Sequence, residues 1–139
     1  MTLLHHAAIS SRIEVMDVLL LYRAGAFWLT DFKFNYYIDI NAKDEIGNTA
    51  IHHAVLNNQT RSLSYLILNR ANPNIFNVED LAPIHLAVHN GKTECLKELL
   101  KHPEVNKEEV TKNGNNAIHI ACELDNQEAL KYLVILTFS

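Results

Sequence analysis

Gly47-Asn48-Thr49-Ala50-Ile51-His52-His53-Ala54-Val55 is the stretch on which the reading of this chain turns. Its core runs Thr, any residue, an aliphatic one, His, any residue, Ala. The pattern returns as Thr2-Leu3-Leu4-His5-His6-Ala7-Ala8 and, with the first position changed, as Ala82-Pro83-Ile84-His85-Leu86-Ala87-Val88 and Asn116-Ala117-Ile118-His119-Ile120-Ala121-Cys122. Measured at the first histidine, the steps are 47, 33 and 34 residues. Such a period marks one supersecondary unit stacked on copies of itself, because a single unit is too small to bury its own apolar face.

Working outward from the phrase, each unit reads as two helices. A Thr-like residue caps the first helix, which runs through His-x-Ala; a short turn follows, and then a second helix carries paired aliphatic residues. In the first unit the helices are expected at about Leu3 to Ser10 and Ile13 to Tyr22, with Val15, Val18 and Leu19 as the apolar stripe. The second stripe is Leu63, Leu66 and Ile67, the third Leu96, Leu99 and Leu100, and the fourth Ala129, Leu130, Leu133 and Val134. Pro83 opens a helix where its missing N–H costs nothing, and Asn90-Gly91 marks the turn of the third unit.

A 33-residue step carrying this phrase resembles the ankyrin repeat. The resemblance implies an all-α ankyrin-repeat solenoid of about four helix-turn-helix repeats with outward loops. The repeats are placed at approximately 1–24, 45–77, 78–111 and 112–139, with an irregular aromatic insert over 25–43.

Composition agrees with a soluble stack. Of the 139 residues 48% are hydrophobic and 20% charged, enough for a continuous core. The net charge of -4, with no dense Lys/Arg cluster, disfavours nucleic acid and anionic membrane surfaces as partners. The run from Val18 to Leu29 contains Arg23 and is shorter than the roughly 20 residues a spanning helix needs. The start lacks a basic and then apolar leader pattern. Cys95 and Cys122, the two cysteines, are read as buried reduced thiols, which with the absent leader suggests a cytoplasmic setting.

The first step exceeds the second by about 14 residues, and the excess lies within 25–40. Phe27, Trp28, Phe32, Phe34, Tyr36 and Tyr37 crowd into it. The insert can pack on the outer face of the first repeat, recruit a partner as an exposed aromatic patch, or stay disordered; alternation from Phe32 to Ile40 suits an extended hairpin. At both ends the expected polar caps are missing, and Leu130 to Phe138 is apolar almost all round. The chain is therefore read as a fragment of a longer array or as needing partners at its ends.

Eight histidines invite a metal or catalytic reading. Yet His5, His52, His85 and His119 hold one place per repeat, and helices packed about 8–10 Å apart keep successive imidazoles from sharing a metal that needs nitrogens at about 2 Å. They suit hydrogen bonding between a repeat and the adjoining loop. His6 and His53 stand at a usually apolar place, and His89 and His102 are assigned to the surface. The adjacent carboxylates Glu79-Asp80 and Glu108-Glu109 read as a solvated face, and Cys95 has no histidine of its own repeat placed to activate it. No nucleophile elbow, phosphate loop or zinc-helix motif is present. The expectation is a non-enzymatic protein with no cofactor and no metal.

A narrower likeness runs from Gly47 to Leu133. Gly47-Asn48-Thr49, His52-x-Ala54-Val55, Asn58-Gln59, Ala71-Asn72-Pro73-Asn74, Leu99-Leu100-x-His102, Val105-Asn106, Asn113-Gly114-Asn115 and Asn126-x-Glu128-Ala129-Leu130 are similar to the start of the array in ankyrin-type transient receptor potential cation channels. That likeness implies a nonselective, calcium-permeable sensory channel with its N-terminal array in the cytosol. The alternative is a free-standing soluble ankyrin adaptor or scaffold. Either way the expected partner is another protein, met by loop tips and inner helices through Asp44, Glu45, Ile46 and Asn48, then Asn77, Glu79 and Asp80, then Lys112 and Asn113. Neighbouring repeats of a longer chain are the other expected contact.

Overall fold

A computed structural model describes residues 2–10, 12–23 and 39–137. Eight helices are formed among them: α1 (Leu3–Ile9), α2 (Ile13–Arg23), α3 (Ala50–Leu56), α4 (Thr60–Leu68), α5 (Pro83–His89), α6 (Thr93–Lys101), α7 (Ala117–Glu123) and α8 (Gln127–Thr137). They pair as four helical hairpins. The first helices form one row, α1 on α3 on α5 on α7, and the second helices another, α2 on α4 on α6 on α8. The all-α stack read from the sequence is what the chain forms. Of the aromatic insert, only Asp39 to Lys43 belong to the described residues, so the expected hairpin and aromatic patch lie outside them.

The phrase itself explains the hairpin. In all four repeats the carbonyl of the alanine two places after the histidine accepts the N–H that opens the second helix: Arg12 to Ala7 at 3.1 Å, Gln59 to Ala54 at 2.8 Å, Lys92 to Ala87 at 2.8 Å and Asn126 to Ala121 at 2.9 Å. Each of these alanines is at most 4% exposed, and a larger side chain there would hold the two helices apart. The turn between them carries a left-handed residue at one fixed place, Asn58, Gly91 and Asp125, with φ of 53°, 65° and 51°. Asn, Gly and Asp are the residues that accept this conformation at least cost.

The stripes of α4 and α6 are buried as read: Leu63, Leu66, Ile67, Leu96, Leu99 and Leu100 all belong to the core. The stripe of α2 needs correcting. Met16 is fully buried, whereas Val15 and Val18 are 42% and 55% exposed. Register is the reason: Met16 stands eleven residues after His5, as Leu63 and Leu96 stand after His52 and His85. In α8, Ala129 and Leu133 are buried, Leu130 is partly buried and Val134 is exposed. Of the two cysteines, both free, Cys95 is buried and Cys122 is exposed, so the expectation of two buried thiols holds for one. Burial pushes the Cys95 thiol up to about 11, which leaves it an inert packing group.

Candidate interaction surface

Each surface loop is held by an imidazole. His5, His52 and His85 are almost wholly buried. Their Nδ1 atoms accept the cap N–H three residues back, from Thr2 at 2.8 Å, Thr49 at 3.0 Å and Ala82 at 3.1 Å. A ring nitrogen that accepts an N–H carries no proton, so the proton sits on Nε2. From there it is donated to a carbonyl of the following loop: Ala42 at 2.9 Å, Leu81 at 3.1 Å and Glu109 at 2.8 Å. Both nitrogens are used, and the ring joins one helix start to the next repeat. Burial lowers the basicity of all three, His52 to about 4, against the raising effect of the carbonyl each one faces. His119 departs from this pattern: Nδ1 accepts from Asn116 at 3.1 Å, but the residue is exposed.

The loops project ahead of α3, α5 and α7. Each has a left-handed residue five places before the histidine, Gly47, Asp80 and Gly114, with φ of 75°, 62° and 78°. Neighbouring loops are tied together by Val78 N–H donating to the Ile46 carbonyl at 3.0 Å, by Asn77 Nδ2 donating to Asn48 Oδ1 at 2.9 Å, and by Lys112 N–H donating to the Asp80 carboxylate. The tips therefore form one connected edge.

Among the nine residues assigned to partner contact, Glu45, Ile46, Glu79, Lys112 and Asn113 are exposed at the tips. Asp80 is half-buried under Lys112. Asp44, Asn48 and Asn77 hold the loops. Asp44 Oδ1 accepts from Ile46 N at 3.1 Å and Asn48 N at 2.9 Å, Asn48 is 2% exposed, and Asn77 Oδ1 accepts from Glu79 N and Leu81 N at 3.0 Å each.

Two features escape a reading of the sequence. His53, where the third and fourth repeats have Leu86 and Ile120 and the first has His6, is buried and donates from Nε2 to Asp44 Oδ2 at 2.6 Å. Burial works to raise the Asp44 carboxyl, but the hydrogen bonds from His53 and from the Asn48 and Ile46 N–H groups outweigh it and hold it below its ordinary value. The only signal for this pair is a polar residue at an apolar place. The second feature is a groove of about 450 Å³ between the second and third tips and the inner helices, lined by Val78, Glu79, His89, Lys112, Glu123 and Leu124 among others. Its apolar lining includes Leu81, Ile120 and the exposed Val78 and Leu124, which reasoning from polarity passes over. His102, assigned to the surface, is instead half-buried, 3.2 Å from Glu98 Oε1; His89 is exposed.

Hairpins of this geometry, stapled by an imidazole and carrying projecting loops, define the class. Models of ankyrin repeats match residues 4–67 and 63–137, and the chain belongs to the ankyrin-repeat family. It is 35% identical over 131 residues to the human transient receptor potential cation channel subfamily A member 1, covering 94% of this chain and 11% of that protein. It is 30% identical over 136 residues to dog inversin, covering 96% and 11%, and 32% identical over 129 residues to the chicken nuclear factor NF-kappa-B p105 subunit, covering 90% and 12%. The chain thus spans about a tenth of the length of these relatives. No helix among the described residues is long and apolar enough to cross a membrane.

Proposed function

We propose that the chain is a non-enzymatic protein-interaction module from the cytoplasmic ankyrin array of a transient receptor potential-type cation channel. The observation that carries the interaction reading is the connected edge of loop tips above the groove, where Glu45, Ile46, Val78, Glu79, Lys112 and Asn113 are exposed on loops whose backbone is held by buried side chains. A preformed edge of this kind binds without the cost of ordering its own loops. The tips mix apolar and charged groups, which suits a reversible protein contact. The channel assignment draws support from the likeness over 94% of the chain. Inversin and the p105 subunit match over similar shares, which favours an adaptor as the second reading.

A photo-crosslinking amino acid placed at Val78 or Asn113, and separately at Lys101 on the outer helix row, tests the surface in the cell of origin. Cross-linked protein is expected from the loop positions and not from Lys101. Equal yields from both sides, or yield from Lys101 alone, would refute the surface. The source transcript decides between the two readings: further 33-residue phrases followed by membrane-spanning segments support a channel, and a frame without them supports an adaptor.

A further inference from the structure

Asparagine is followed by glycine twice in the chain, at Asn90-Gly91 and Asn113-Gly114, and all four residues are exposed. An asparagine in that position is chemically labile, because the backbone nitrogen after it reaches the side-chain amide carbon with no β-carbon in the way. The fold separates the two pairs. Asn90 closes α5: its N–H and its Nδ2 both donate to the Leu86 carbonyl, at 3.0 and 3.1 Å. The next two N–H groups, of Gly91 and Lys92, donate to the Val88 and Ala87 carbonyls at 3.3 and 2.8 Å. Bringing Gly91 N onto the Asn90 side chain therefore means unravelling the junction of two packed helices. Asn113 is instead third in the turn Thr111-Lys112-Asn113-Gly114 at a loop tip, closed by Gly114 N–H donating to the Thr111 carbonyl at 2.8 Å. Among the described residues, neither the backbone nor the side chain of Asn113 has a hydrogen-bond partner. Opening that turn breaks one hydrogen bond at the surface and leaves the helices in place.

We infer that Asn113 is a covalent modification site at which the folded chain deamidates itself, with water as the co-reactant, while Asn90 is protected. Solvent base takes the Gly114 amide proton, Gly114 N bonds to Asn113 Cγ, and the side-chain nitrogen leaves as ammonia, which closes a five-membered succinimide. Water then opens the ring. Attack at Cγ breaks the Cγ–N bond and leaves aspartate; attack at the backbone carbonyl breaks the C–N bond and leaves isoaspartate, with the chain running on through Cγ. Either product puts a carboxylate where a neutral amide stood, in the groove that Asn113 shares with Lys112, Glu79 and Glu123. Isoaspartate also adds one methylene to the backbone of a turn whose Gly114 is fixed at a φ of 78°. The loop tip thus carries a slow, one-way change of charge and shape on the face proposed for partner contact. The chemistry itself does not depend on that contact.

The test incubates the purified chain at body temperature and mildly alkaline pH and follows both asparagines by peptide mass spectrometry. Electron-transfer fragmentation tells isoaspartate from aspartate. In the folded chain the Asn113 peptide is expected to gain the mass of an amide-to-acid exchange about tenfold or more faster than the Asn90 peptide, the factor that the additional hydrogen bonds around Asn90 supply. The product at 113 is expected to be a mixture of the two acids. In urea, where both pairs are bare Asn-Gly, the two rates should converge. Asn113→Gln, whose longer side chain would have to close a six-membered ring, should abolish the gain at 113 and leave the Asn90 rate unchanged. Equal rates at the two sites in the folded chain overturn the inference, as does a faster Asn90 or an Asn113 that stays intact. Aspartate without isoaspartate at 113 overturns it as well, because it excludes the succinimide. Failure of the loop-tip cross-linking leaves these rates untouched, so the two readings fail separately.

Discussion

Acid should loosen this stack well before its carboxylates titrate. His52 is fully buried, both ring nitrogens are engaged, and it binds a proton only near pH 4, against an ordinary value of 6.5. The unfolded chain takes up that proton as pH falls through about 6.5, while the folded chain refuses it until about 4. Stability from this residue is therefore complete above 6.5, declines as pH falls between 6.5 and 4, and declines no further below 4. A gap of about two and a half pH units corresponds to ~3 kcal/mol, of which ~2 kcal/mol is lost by about pH 5. His5 and His85 shift in the same direction and add to the loss. Asp44 and Glu98 titrate below their ordinary 3.8 and 4.5, so their contributions disappear at lower pH and leave the window between 5 and 6.5 to the histidines. Urea unfolding followed by circular dichroism at a series of pH values measures the slope, and His52→Gln should flatten it. A midpoint that does not move between pH 7 and 5, or an equal slope in His52→Gln, would refute the reasoning. Where that variant folds poorly, NMR titration of the His52 ring in the unaltered chain tests the same point: the ring must still be neutral at pH 5.

Four substitutions probe the loops and the hairpin turns. Gly47→Ala places a methyl 2.9 Å from Val78 N at a φ of 75°, and should cost ~2–3 kcal/mol in thermal unfolding; Gly91→Ala, with open space around it, should cost only ~1 kcal/mol. Asp44→Asn keeps an oxygen for the Ile46 and Asn48 N–H groups but loses the charged acceptor of His53, and should cost ~1–3 kcal/mol in urea. Adding His53→Leu, the residue type of Leu86 at that place, should return most of the loss, because the pair is then replaced by an apolar contact; a further loss in the double variant would contradict this.

The interior rows are legible in the sequence because one phrase sets both hydrogen bonding and packing. Once His52 and Ala54 are matched across repeats, Leu63, Leu66 and Ile67 fall on the buried side without further information. In the first repeat spacing alone misleads: Val15, Val18 and Leu19 satisfy a helical stripe, but the register counted from His5 selects Met16. Cys122 misleads for a different reason. It has the register of Val55 and Val88, and whether such a place is buried depends on a neighbour and not on the residue itself. At the surface, loop position is legible from Gly47 and Asn113-Gly114, whereas the division of labour is not. Asp44, Asn48 and Asn77 look like exposed polar residues in sequence, and only the fold shows their side chains turned to neighbouring loop groups.

Buried imidazoles hold each loop to the repeat before it, and the proton position on those rings tests this most directly. Long-range nitrogen–proton correlation NMR at neutral pH should show His5, His52 and His85 as neutral rings with the proton on Nε2, exchanging slowly with water. A proton on Nδ1, or a rapidly exchanging mixture of the two forms, would contradict it, because Nδ1 could then no longer accept the cap N–H groups of Thr2, Thr49 and Ala82.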